Sequence, residues 1–88
     1  MNSIGKLPGL IKKSLTLRGH RTSVALEQEF WTAFEDIARR ENYSVRDLVT
    51  AVDETRDDGV SLASSIRVYV LTQYRNADPR HGHSGAEA

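Results

Sequence analysis

Polar and apolar residues along the chain fall into segments of different period. Residues 1–13 show none: Gly5, Pro8 and Gly9 interrupt them, and the segment reads as a flexible arm. In His20-Arg-Thr-Ser-Val-Ala-Leu26, Thr22, Val24 and Leu26 alternate with Arg21, Ser23 and Ala25, the period of a strand with one covered face. Leu15 and Leu17 have the opposite parity, so a bulge or a bend near Gly19 must shift the phase. Glu27-Gln-Glu29 then places acids where they complement the N-terminal dipole of a helix. Phe30, Phe34, Ile37 and Ala38, joined by Trp31, make an apolar stripe at helical spacing. Asn42 is suited to a left-handed C-terminal cap followed by Tyr43 as the apolar contact.

Two more helices follow. Ser44 reads as an N-cap with Asp47 three residues on, and Val45, Leu48, Val49 and Val52 form the second stripe, to about Glu54. Thr55-Arg-Asp-Asp-Gly59 is a turn, and Ser61 is the next N-cap. From Leu62 to Tyr74 the apolar residues Ile66, Val68, Tyr69, Val70 and Leu71 wrap much of the circumference, so this helix needs cover on more than one side. Residues 76–88 are polar, with Pro79, Gly82 and Gly85, and read as a disordered tail. The expected organisation is an arm over 1–13, a domain over 14–75 and a tail over 76–88. Its class is mainly α with one β-strand.

A lone strand leaves its backbone groups without partners. Either Leu15–Leu17 folds back on it, or the same strand of a second chain pairs with it, antiparallel by two-fold symmetry. Composition favours a second chain. With 88 residues the core is modest, and the absence of cysteine removes disulfides and thiolate zinc sites as staples, leaving oligomerisation. No apolar run is long enough for a secretory signal or a spanning helix, so a cytoplasmic protein with no membrane contact is expected.

The net charge of zero conceals a division. Residues 1–26 hold Lys6, Lys12, Lys13, Arg18 and Arg21 and no acid, whereas residues 27–88 hold seven Lys/Arg against twelve Asp/Glu. A basic N-terminal part on an acidic body suggests a polyanionic partner or, equally, a solvated basic tail.

Arg21-Thr-Ser-Val-Ala-Leu26, an acidic amphipathic helix, a turn at Asn42-Tyr43 and Ser44-Val-Arg-Asp-Leu48 together resemble the ribbon-helix-helix family, the Arc and MetJ repressor superfamily. The helix beginning at Leu62 resembles an addition found in a small bacterial subgroup. The resemblance implies an intertwined homodimer whose strands form an intermolecular antiparallel two-stranded ribbon, plus the third helix. Val24, Leu26, Trp31, Phe34, Leu48, Val52, Ile66 and Val70 would form the dimer core. It also implies a transcriptional regulator that binds double-stranded DNA with the ribbon in the major groove. Arg21, Ser23 and Ala25 would then face bases, although Ala25 offers only a methyl group where a polar residue is usual. Lys12, Lys13, Arg18 and the start of the second helix at Ser44, Val45 and Arg46 would contact phosphates.

Other chemistry is thin. No nucleophile–base pair, carboxylate pair or phosphate-cradling glycine loop stands out, so no enzyme, cofactor or metal is expected. Trp31 and Phe34 fit core packing better than stacking on bases, and His81 and His83 lack a third ligand. The competing reading is a dimeric protein-interaction module, accessory or antitoxin-like, that keeps the fold without binding DNA.

Overall fold

The computed structural model describes residues 9–77, in the order β1 (Ile11–Leu17), β2 (His20–Leu26), α1 (Gln28–Arg40), α2 (Val45–Glu54) and α3 (Leu62–Ala77). Most of the expected arm and the tail beyond Ala77 lie outside the described residues.

The ribbon differs from the expectation. Two strands, not one, precede the helices, and they pair antiparallel within the same chain, from Ile11 opposite Leu26 to Leu17 opposite His20. The shift of phase is neither a bulge nor a bend but a two-residue hairpin turn at Arg18-Gly19. Both residues have positive φ, +49° and +84°, as the type I′ turn favoured between twisted strands requires. Residues 11–13 therefore belong to the hairpin rather than to the arm. Lys13 sits at a position of inward parity. Its ammonium lies over the Trp31 ring, 4.9 Å from the centroid, and 3.1 Å from Glu35 Oε2.

The helices start and stop for local reasons. α1 has Glu29 in its first turn and Arg39 and Arg40 in its last, each complementing the dipole. It ends with Asn42 at φ +63°, while Tyr43 N–H donates to Ala38 O at 2.9 Å and Asn42 N–H to Arg39 O at 3.2 Å, the two bonds of a Schellman cap. Ser44 Oγ accepts from Asp47 N–H at 3.0 Å to start α2, and Ser61 Oγ accepts from Ser64 N–H at 3.1 Å to start α3.

The inward faces of the hairpin and the three helices enclose one core. Trp31, Phe34, Leu26, Ile37, Ile66 and Val49 are its largest fully buried side chains. Trp31 Nε1–H donates to Ile11 O at 2.8 Å, which satisfies the indole and fastens α1 to β1. Phe34 meets the Tyr69 ring edge-on at 6.0 Å. Among the described residues no buried side-chain polar atom lacks a partner. All eight residues expected to line a dimer core are buried within the single chain. The reason is the hairpin: β1 supplies the second strand that would otherwise come from another molecule.

Candidate nucleic-acid interface

Alternation along two paired strands gives the hairpin an inner and an outer face. Ile11, Leu15 and Leu17 of β1 lie with Thr22, Val24 and Leu26 of β2 toward the helices. The outer face carries Lys12, Ser14 and Thr16 opposite Ala25, Ser23 and Arg21 respectively. Five of these six are exposed and Ala25 is half-buried. The two serine hydroxyls stand 3.4 Å apart across the ribbon. Arg21, Ser23 and Ala25 thus share one outward face as expected. Ser14 and Thr16, which sequence reasoning missed, complete it. The signal was available: across a two-residue turn an odd position pairs with an even one, so Leu15 and Leu17 share a face with Val24 and Leu26.

The six outer positions include two cations, Lys12 and Arg21, and no acid. The other cations expected at phosphates are placed differently. Lys13 is turned inward onto Trp31 and Glu35. Arg18, at the turn, reaches Asp53 at 2.7 Å and Glu54 at 3.3 Å. The turn end of the hairpin is therefore clamped to the acidic C-terminal end of α2, and its one cation is already matched.

Ser44, Val45 and Arg46 lie at the opposite end of α2, about 15 Å away for a helix of this length. Ser44 Oγ is committed to its cap, so what this terminus offers an anion is the first-turn backbone amides and the exposed Arg46 side chain. The structure does not bring Arg18 and the start of α2 together as one phosphate site.

A second ion pair joins the start of α1 to α3. Arg67 Nε–H donates to Glu27 Oε1 at 3.0 Å. Bonding to its own backbone amide and to Arg67 holds the Glu27 carboxyl below the ordinary carboxylate range. Arg67 also lies 5.9 Å from the Phe30 ring centroid. Among the described residues no helix is long and apolar enough to cross a membrane.

Comparison with known proteins agrees with this architecture. No curated protein matches the chain. Among solved structures, an uncharacterized protein from Bordetella pertussis Tohama I is similar, with 32% identity and a TM-score of 0.69. The match covers 86% of this chain and 65% of that one, so this chain spans less than two thirds of that protein's length. The sequence pattern of the ribbon-helix-helix domain matches residues 10–74, which take in both strands, α1, α2 and most of α3. On that match, which runs over most of its length, the chain belongs to the ribbon-helix-helix domain family.

Proposed function

We propose that the chain binds double-stranded DNA by laying the outer face of its hairpin in the major groove, as a regulator of transcription. The observation that carries this reading is the composition of that face: six small or cationic side chains, two of them Lys12 and Arg21, with no acid on a body whose helices are acidic. A two-stranded ribbon fits the major groove. Three rows of side chains about 7 Å apart span roughly four base pairs at about 3.4 Å each. Arg21 offers a guanidinium fork to guanine O6 and N7, and Ser14, Ser23 and Thr16 each donate or accept. Lys12 stands opposite Ala25 and supplies the polar group that Ala25 lacks. Arg46 and the first amides of α2 take a backbone phosphate.

The adjacent lysines provide the test. Binding of the purified chain to duplex DNA, followed by fluorescence anisotropy across a salt series, should weaken as salt rises. Arg21→Ala should lower affinity for a preferred sequence about tenfold or more and flatten the preference. Lys12→Ala should weaken binding, whereas Lys13→Ala, whose charge is spent on Glu35, should leave it within about twofold. Equal losses from the two lysine changes would reject the face assignment. No binding at low salt would reject DNA as the ligand and favour the protein-interaction reading.

A further inference from the structure

Asp53, near the end of α2, is the most enclosed of the side chains that form ion pairs among the described residues, at 13% exposure. Each of its oxygens is taken by a guanidinium. Oδ2 accepts from Arg18 at 2.7 Å, and Oδ1 accepts from Arg56 Nε–H at 3.0 Å. Arg56 in turn donates to the Val60 carbonyl at 2.7 Å, in the turn that leads to α3. The carboxylate is therefore fixed from both sides. Linked ion pairs of this kind keep their geometry where an isolated surface pair does not.

Arg18 is an unusual residue for its place. It opens the turn at φ +49°, a conformation in which Asn, Asp or Gly is ordinary. Its side chain is 52% exposed, and the turn directly follows the Thr16–Arg21 row, the last on the outer face. An unpaired arginine there would be the first cation to meet the phosphates that wall the groove. Its two terminal nitrogens instead reach Asp53 and Glu54, so the guanidinium faces two negative charges where a phosphate offers one.

We infer that Asp53 withholds Arg18 from the DNA backbone and so limits the sequence-independent part of binding. The inference rests on the proposal that the outer face of the hairpin binds duplex DNA. A cation that meets any phosphate strengthens binding to every sequence alike, whereas base contacts discriminate. With Arg18 and Lys13 both matched by acids, the cations that the ribbon offers are Lys12 and Arg21. Glu54 alone does not hold Arg18. Its contact is longer, at 3.3 Å, and its carboxylate is 55% exposed and open to screening by salt. Asp53 is thus a positioning residue: it acts on DNA only through the guanidinium it retains.

Fluorescence anisotropy of the full chain across a salt series, on a random-sequence duplex and on a preferred duplex selected from such a pool, tests it. Asp53→Asn should add about one phosphate contact and steepen the fall of log affinity with log salt by about 0.9. Between about 50 and 200 mM salt the variant then loses about three- to fourfold more affinity than the wild type, by the same factor on both duplexes. Arg18→Gln in the Asp53→Asn background should remove this change. Asp58→Asn, the same change of net charge with no guanidinium released, should not reproduce it. Arg18→Gln alone, at an exposed turn position, tests the same point should Asp53→Asn not fold: its salt slope should equal that of the wild type. A slope shallower by about 0.9 in Arg18→Gln would mean that Arg18 already meets a phosphate, and overturns the inference. So does an unchanged slope in Asp53→Asn; affinity lost on the preferred duplex alone would then make Asp53 a structural anchor only. A wild type that binds neither duplex at low salt overturns the DNA reading itself, and the inference with it.

Discussion

Whether the ribbon is made by one chain or by two is decided at Gly19. In the hairpin, Gly19 has φ +84° and follows Arg18 at +49°. A Cβ built on Gly19 meets nothing within 4 Å, so Gly19→Ala introduces no clash with the rest of the protein. Its effect isolates the backbone. Holding an L-residue in the left-handed region costs about 1–2 kcal/mol, and alanine recovers about 0.4–1 kcal/mol of that by restricting the unfolded chain. The net destabilisation is about 1 kcal/mol, which in a domain of this size lowers Tm by about 4–8 °C. Gly9→Ala is the control: Gly9 also has open space around it and is not in the left-handed region, so the change should be neutral or slightly stabilising. Urea and thermal unfolding followed by circular dichroism read both variants. An intermolecular ribbon, in which residues 18 and 19 run on without a turn, has no need of positive φ. Gly19→Ala as stable as Gly9→Ala would therefore refute the intrachain hairpin, and with it the placement of Ser14 and Thr16 on the outer face.

Two further outcomes follow from local geometry. Ser44→Ala removes the acceptor of Asp47 N–H and should cost about 1 kcal/mol in urea unfolding, with Ser44→Thr recovering most of it; no loss would mean that the cap contributes nothing. The Tyr69 hydroxyl is held above the ordinary tyrosine range, first by burial and then by the nearby Glu41 carboxylate. The fold favours its neutral form, so this contribution to stability is complete below about pH 10 and is lost as pH rises through the raised value. Absorbance titration should show a phase above the ordinary tyrosine range that Tyr69→Phe removes, and a variant whose titration keeps that phase would contradict this.

The helices were legible because each carries its own punctuation. Asn42, Ser44 and Ser61 sit where the Schellman cap and the two N-caps form, and the stripes of α1 and α2 keep strict period. β1 was hidden by two residues. Lys13 occupies an inward position, and its ammonium lies over the Trp31 ring and beside Glu35, so a covered position reads as polar. Arg18 opens a type I′ turn where Asn or Asp is usual, so the turn lacked its common sign. Without β1 the strand needs a second chain. Residues well placed as core, such as Trp31, Phe34 and Ile66, were then assigned to an interface that the structure does not require for their burial. The outer face was half legible for the same reason: Arg21, Ser23 and Ala25 came from β2, and their partners lay on the unseen strand.

A ribbon made within one chain also changes what symmetry its reading implies. When two identical strands pair about a two-fold axis, each outer residue appears twice, and the contacted sequence is a palindrome centred on the ribbon. Here the two strands differ: Lys12, Ser14 and Thr16 face Ala25, Ser23 and Arg21, and no two-fold operation maps one row onto the other. A groove occupied by this hairpin is therefore read asymmetrically, with Lys12 at the open end and Arg21 toward the turn. On the proposed DNA reading, a target of about four base pairs would have no internal repeat. Inverted repeats enter only if two copies associate, and then as two separate half-sites. Selection of preferred sequences from a random duplex pool separates these cases. A palindrome centred within a single four-base-pair element would favour an intermolecular ribbon. Asymmetric elements, whether single or in inverted orientation, would favour a hairpin formed within each copy.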